Sequence, residues 1–141
     1  MAARLAFVGQ PMVAGAAAGI ALTSTEPLSF WGGVSPETGE VIDRRHPLSG
    51  TLLPGRILVL PGGRGSCSAS GVLLEAIRNG TAPAAILLSR PDPILALGSI
   101  LGAELDGLVV PVVLIDDGTV ASLRTGNHVS IEPSGRVVIQ D

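Results

Sequence analysis

The chain has 141 residues, 46% of them hydrophobic, only 2% aromatic and 15% charged, with a formal net charge of −3. A mean hydropathy of +0.52 excludes a disordered tail, and an isoelectric point near 5.3 argues against nucleic acid, which wants a basic face. One cysteine, Cys67, excludes an internal disulfide and a cysteine-rich metal site, which makes the cytosol the default compartment.

The length fits one domain spanning 1–141 with a core of its own, built from Val, Ile, Leu and Ala. All nine cations are arginine. Few charges and much apolar surface fit a chain that buries part of its exterior against a partner. Met1-Ala-Ala-Arg4 and the following Ala/Gly run are a weak match to a signal peptide, interrupted by Gln10-Pro11. No run approaches the ~18 apolar residues of a membrane span.

In chain order, residues 5–8 and 16–24 read as strands joined by a turn at Gly9, Gln10 and Pro11. Phe30 and Trp31, beside Gly32 and Gly33, read as a packing anchor. Residues 40–43 read as a short strand, and Arg44-Arg-His46-Pro47 then gathers two cations, Asp43 and one of the two histidines. Where charges are so scarce, Asp43 and His46 are candidates for a functional role.

The centre of the chain is Pro61-Gly-Gly-Arg-Gly-Ser-Cys-Ser-Ala-Ser-Gly71. The apolar run 56–60 before it has strand character, and 72–78 after it has a helical pattern closed by Asn79-Gly80. Glycines let the backbone approach a ligand closely, and free N–H groups at a helix start favour a carboxylate or phosphate. The plain alternative is a glycine turn whose serines cap the helix.

Residues 84–88 read as a buried strand. Asp92 at an N-cap and Pro93 at the first helical position start a helix that runs to about Ala103, with an amphipathic face at Leu97, Ile100 and Leu101. Residues 107–115 read as one continuous apolar strand, with Pro111 marking a bulge or edge. A short helix at 119–123 and two tail strands, 128–131 and 135–140, complete the chain. The pattern is α/β: a small barrel-like sheet with two or three helices.

Gly65-Ser66-Cys67, after a strand and opening a helix, resembles the Gly-Ser-Ser turn of the aconitase superfamily's swivelling domain. The wider match is to the aconitase X swivel domain: Gly9-Gln-Pro, Pro27-Leu-Ser-Phe-Trp-Gly-Gly-Val-Ser-Pro-Glu-Thr-Gly39, Asp43-Arg-Arg-His-Pro-Leu48, Leu60-Pro-Gly-Gly-Arg-Gly-Ser66 and Gly80-Thr-Ala-Pro-Ala-Ala85 occur in order. Pro91-Asp-Pro-Ile-Leu-Ala96 and Arg124-Thr-Gly126 extend it over nearly the whole chain.

The resemblance implies a β/β/α swivelling domain acting as the small subunit of a hydro-lyase. A large aconitase X-type subunit would carry an iron or iron–sulfur centre, with no metal held by this chain. By its place in the motif Ser66 is the base, with Arg64, Gly65, Cys67, Ser68, Asp43 and His46 as substrate contacts. Aconitases follow the serine pair with an arginine where this chain has Ser68, so Arg64 is the candidate carboxylate clamp. A serine is a poor base in water and must act as an alkoxide stabilised by N–H groups and the helix dipole. Two small hydroxy-acid substrates follow from the resemblance: cis-3-hydroxy-L-proline, which the arginine-only composition favours, and phosphomevalonate. A non-catalytic anion-binding or structural subunit is the rival reading.

Overall fold

The computed structural model describes residues 4–62 and 68–140. Eight strands form one sheet in the order β1-β8-β7-β3-β4-β5-β6-β2. They are β1 (Arg4–Val8), β2 (Gln10–Val13), β3 (Ala17–Thr23), β4 (Arg56–Leu60), β5 (Ala85–Leu88), β6 (Val112–Leu114), β7 (His128–Ile131) and β8 (Arg136–Gln140). The helices are α1 (Phe30–Gly33), α2 (Ala69–Asn79), α3 (Pro93–Asp106) and α4 (Asp117–Ser122).

Strands β3, β4, β5 and β6 are parallel neighbours, whereas β1, β7, β8 and β2 pair antiparallel. Gly9 alone separates β1 from β2, which lie at opposite ends of the strand order. The sheet therefore curls until its two ends meet in the chain, which gives the barrel-like form. A Cβ on Gly9 would clash with the Val113 side chain, so the strand crosses only where no side chain intervenes.

Alternation along the parallel strands splits the core in two. Leu58, Leu60, Ile86, Leu88 and Val112 face Leu73 and Ile77 of α2, Leu95 of α3, Phe30 of α1 and the loop residues Leu28 and Leu53. Ile57, Val59, Ala85, Leu87 and Val113 face Val129, Ile131, Val137 and Ile139 of β7 and β8. Two strand layers and one helix layer result, the β/β/α arrangement expected.

The helix ends follow local chemistry. Asp92 accepts the Leu95 N–H at 3.0 Å ahead of Pro93, and Gly80 and Gly107 close α2 and α3 in left-handed conformations.

Several expectations need correction. Gly9, Gln10 and Pro11 are no turn between two strands, because residues 10–13 form β2 against β6, where proline is tolerated on an edge. The register irregularity lies at Pro11/Val13 of β2 rather than at Pro111. Only Val112–Leu114 of residues 107–115 is strand. Residues 40–43 contribute only isolated bridges, Val34–Val41 and Glu40–Leu52. Phe30 is buried as an anchor, but Trp31 is 60% exposed. The buried face of α3 is Leu95, Ala96, Gly98, Ser99 and Gly102, leaving Leu97 and Ile100 outward.

Candidate active site

In a parallel sheet the carboxyl ends of the strands open toward one edge, where ligands characteristically bind. Here that edge is knitted by backbone bonds from each following loop to the neighbouring strand. Ser24 N–H donates to Val59 O at 3.0 Å, Ser89 N–H to Leu60 O at 3.2 Å, and Ile115 N–H to Leu88 O at 2.8 Å. Arg124–Gly126 comes to the same edge, since the Thr23 N–H donates to Thr125 Oγ1 at 3.0 Å and Gly126 N–H donates to Ala21 O at 3.0 Å.

Between the ends of β4 and β5 lies a cleft of about 320 Å³ lined by Pro27, Pro61, Gly62, Arg90, Pro91, Asp92 and Pro93. It adjoins the chain leading into residues 63–67. Arg64, Gly65, Ser66 and Cys67, singled out by the sequence, lie outside the described residues. Ser68 is the exposed N-cap residue of α2, at the far side of that segment.

His46 is turned inward and only 7% exposed. Its Nδ1 accepts the Leu48 N–H at 3.0 Å, so Nε2 carries the proton and donates to Glu26 O at 3.3 Å. Nδ1 thus braces the 43–48 loop itself, and Nε2 ties it to the segment leaving β3. The Asp43 carboxylate accepts the Arg45 N–H at 3.0 Å, an Asx turn within the same loop. These hydrogen bonds of both residues hold backbone in the loop and the segment after β3.

Sequence reasoning missed Arg90. The run Leu88-Ser-Arg-Pro-Asp-Pro93 read only as a helix start, yet a cation placed between a strand end and a proline was the available signal. Asp116, at the end of β6, caps α4 by accepting the Thr119 N–H and hydroxyl, each at 2.8 Å. These bonds, the backbone one first, hold its carboxyl below the usual carboxylate range. A second cleft, of about 260 Å³, involves Arg4, His128, Ser130 and Gln140 and the start of β3, away from the carboxyl edge.

Among the described residues no three His, Cys, Asp or Glu side chains gather to hold a metal ion. An iron centre therefore finds no fitting ligand set in them. No helix among them is long and apolar enough to cross a membrane.

The sequence profile of the aconitase X swivel domain matches residues 6–139. The chain is 56% identical over 111 residues to a cis-3-hydroxy-L-proline dehydratase of Pseudomonas aeruginosa, covering 79% of this chain and 19% of that protein. It is 45% identical to the phosphomevalonate dehydratase small subunit of Methanopyrus kandleri, covering 84% of both chains. This chain thus spans about a fifth of the hydroxyproline dehydratases it matches and most of the small subunits. The crystal structure of Thermococcus kodakaraensis aconitase X in its holo-form superposes with a TM-score of 0.87 at 37% identity, covering 97% of this chain and 99% of that one. Strand β4 and helix α2 on either side of the Pro61–Gly71 motif, in a curled β/β/α sheet and with a family profile and relatives of this kind, lead to one assignment: the chain belongs to the aconitase X swivel domain family.

Proposed function

We propose that this chain is the swivel component of a hydro-lyase and works with a large aconitase X-type subunit. The observation that carries this reading is the position of the Pro61–Gly71 motif, between the carboxyl end of β4 and the first turn of α2, in a chain matched almost end to end by the family profile. The iron or iron–sulfur centre is part of the proposal only as a group of the partner, and the lone cysteine favours a cytosolic setting.

The division of labour follows from the substrates' chemistry. In both candidate hydroxy acids the carbon that loses its proton carries the carboxylate, and the neighbouring carbon carries the departing hydroxyl. Ser66, as an alkoxide, takes the C–H proton. The C–H electron pair forms the new C=C bond as the hydroxyl leaves with its own bonding pair, to be protonated to water. N–H groups at the start of α2 and the Arg64 guanidinium favour the alkoxide over the neutral hydroxyl. Gly65, Cys67 and Ser68 flank the base, while Asp43 and His46 shape the loop beside Glu26.

The higher identity to the Pseudomonas protein supports cis-3-hydroxy-L-proline as substrate. Phosphomevalonate is the second reading, favoured by small subunits that match this chain at nearly full length. A partner is supported by the outer face of α3, where Leu97, Ile100 and Leu105 stand exposed.

The test is turnover of the assembled two-chain complex on each acid, with parent chain and with Ser66→Ala. Loss of turnover with assembly intact supports the base. Unchanged turnover, or a parent complex inactive on both acids, overturns the reading.

A further inference from the structure

We propose that Arg90 is a substrate-binding residue whose guanidinium holds the carboxylate next to the reacting C–H bond. The inference rests on the hydro-lyase reading above and deepens it.

Four of the seven described residues that line the cleft between β4 and β5 are proline: Pro27, Pro61, Pro91 and Pro93. Proline fixes φ and has no N–H, so these walls are preordered and offer few donors. Arg90 is the one cationic side chain among the described residues of that lining. Its backbone is anchored, since its N–H donates to Pro61 O at 3.1 Å and the Ser89 hydroxyl donates to the same carbonyl at 3.3 Å. Pro91 and Pro93 fix the chain just beyond, and the Asp92 carboxylate in the same lining is engaged as the α3 cap.

Three other arginines are occupied. Arg56 donates to Ile20 O and Ala21 O, Arg78 pairs with Asp106, and Arg136 pairs with Glu132. Arg90 makes no ion pair among the described residues. A rigid backbone, proline walls and a cation with no carboxylate partner among the described residues form a receptor for a carboxylate, which a guanidinium grips through two parallel N–H bonds. Pro61 and Gly62, which line the cleft, lead in sequence into the motif that carries Ser66, so under the hydro-lyase reading the gripped carboxylate belongs to the carbon whose C–H bond it acidifies.

The experiment compares parent, Arg90→Gln and Arg90→Lys chains in the assembled complex, using whichever of the two hydroxy acids the parent dehydrates. A charge-assisted bond of about 1.5–3 kcal/mol corresponds to a KM about 10- to 150-fold higher for Arg90→Gln. Most of the effect falls on KM because the carboxylate is held in ground and transition states alike. Arg90→Lys, with a point charge in place of the fork, recovers part of the loss. L-Proline, which has the carboxylate but no hydroxyl to expel, loses inhibitory strength in parallel if the acid is hydroxyproline. Unchanged kinetics in Arg90→Gln, while Ser66→Ala is inactive, overturns the inference alone. A fall in kcat matched by loss of assembly, not recovered in Arg90→Lys, overturns it in favour of an assembly role. A parent complex inactive on both acids overturns the underlying reading.

Discussion

Gly98 of α3 presses on Ser70 of α2: a Cβ built on Gly98 would stand 2.6 Å from the Ser70 carbonyl oxygen and 3.1 Å from Leu73 Cβ. Gly102 repeats the approach one turn on, against the Ile77 side chain. These small residues let the helices touch backbone to side chain. Gly98→Ala, forced against backbone, should destabilise the chain by about 1–3 kcal/mol. In urea unfolding the midpoint falls while the slope is unchanged. Ser70 lies in the first turn of α2, so turnover should drop as well. A midpoint equal to the parent's would mean that the helices separate without cost.

The same contact shows what the sequence could and could not disclose. Helix ends were legible because Asp92, Pro93 and Gly80 act within a turn of their own backbone. The inward face of α3 was not, because its apolar residues run all round and periodicity alone favours the larger side chains. The small residues Gly98, Ser99 and Gly102 mark the buried face, a choice made by α2 rather than by α3. Strand β2 was obscured by Pro11, whose lost N–H matters little on a strand paired only with β6. Residues 107–111 are apolar without being strand, since β2 reaches only Val112–Leu114. Of the candidate site, the strand before the motif and the helix after it were legible, whereas Arg90 depends on β4 and β5 lying side by side.

His46 should prove a brace. His46→Ala removes the acceptor of the buried Leu48 N–H and the donor to Glu26 O. An unsatisfied buried group costs about 1–3 kcal/mol. Thermal unfolding should begin at lower temperature, while turnover of the assembled complex well below that transition stays within severalfold of the parent. Turnover lost by orders of magnitude at an unchanged melting temperature would put the imidazole in the chemistry instead.

Asp116 sets an acid limit on α4. Its carboxyl is held below the usual 3.8 chiefly by the Thr119 N–H, then by the Thr119 hydroxyl, with desolvation opposing. A depressed carboxyl contributes stability that is present above the unfolded value and lost as pH falls through the lower folded value. Asp116→Asn keeps an acceptor but removes the titration. Amide exchange at Thr119 and Val120, taken as the ratio of variant to parent at each pH, should be flat above about pH 4. Below it the parent should lose protection relative to the variant. A flat ratio throughout would show that the ionised form gives the cap no advantage.

The outer face of α3 should be where the large subunit docks. From Pro93 to Ala103 the helix carries no charged side chain, and Leu105 beyond it is 61% exposed. A surface helix without a polar face is one that is covered in use. Leu108 and Val109 continue the exposed apolar surface past its end. Relatives named as small subunits point to the large catalytic chain as the occupant. Leu97→Glu with Ile100→Glu alters exposed positions, so the stability of this chain alone should change by no more than about 0.5 kcal/mol per site. Two carboxylates buried without partners should weaken association at least about tenfold, read by titrating the large subunit at fixed ionic strength. Unchanged affinity in the double variant would move the interface elsewhere, with the exposed Trp31, Ile42 and Leu52 as the next surface to alter. Self-association of the parent that the double variant abolishes, with binding of the large subunit intact, would make the α3 face a contact between copies of this chain.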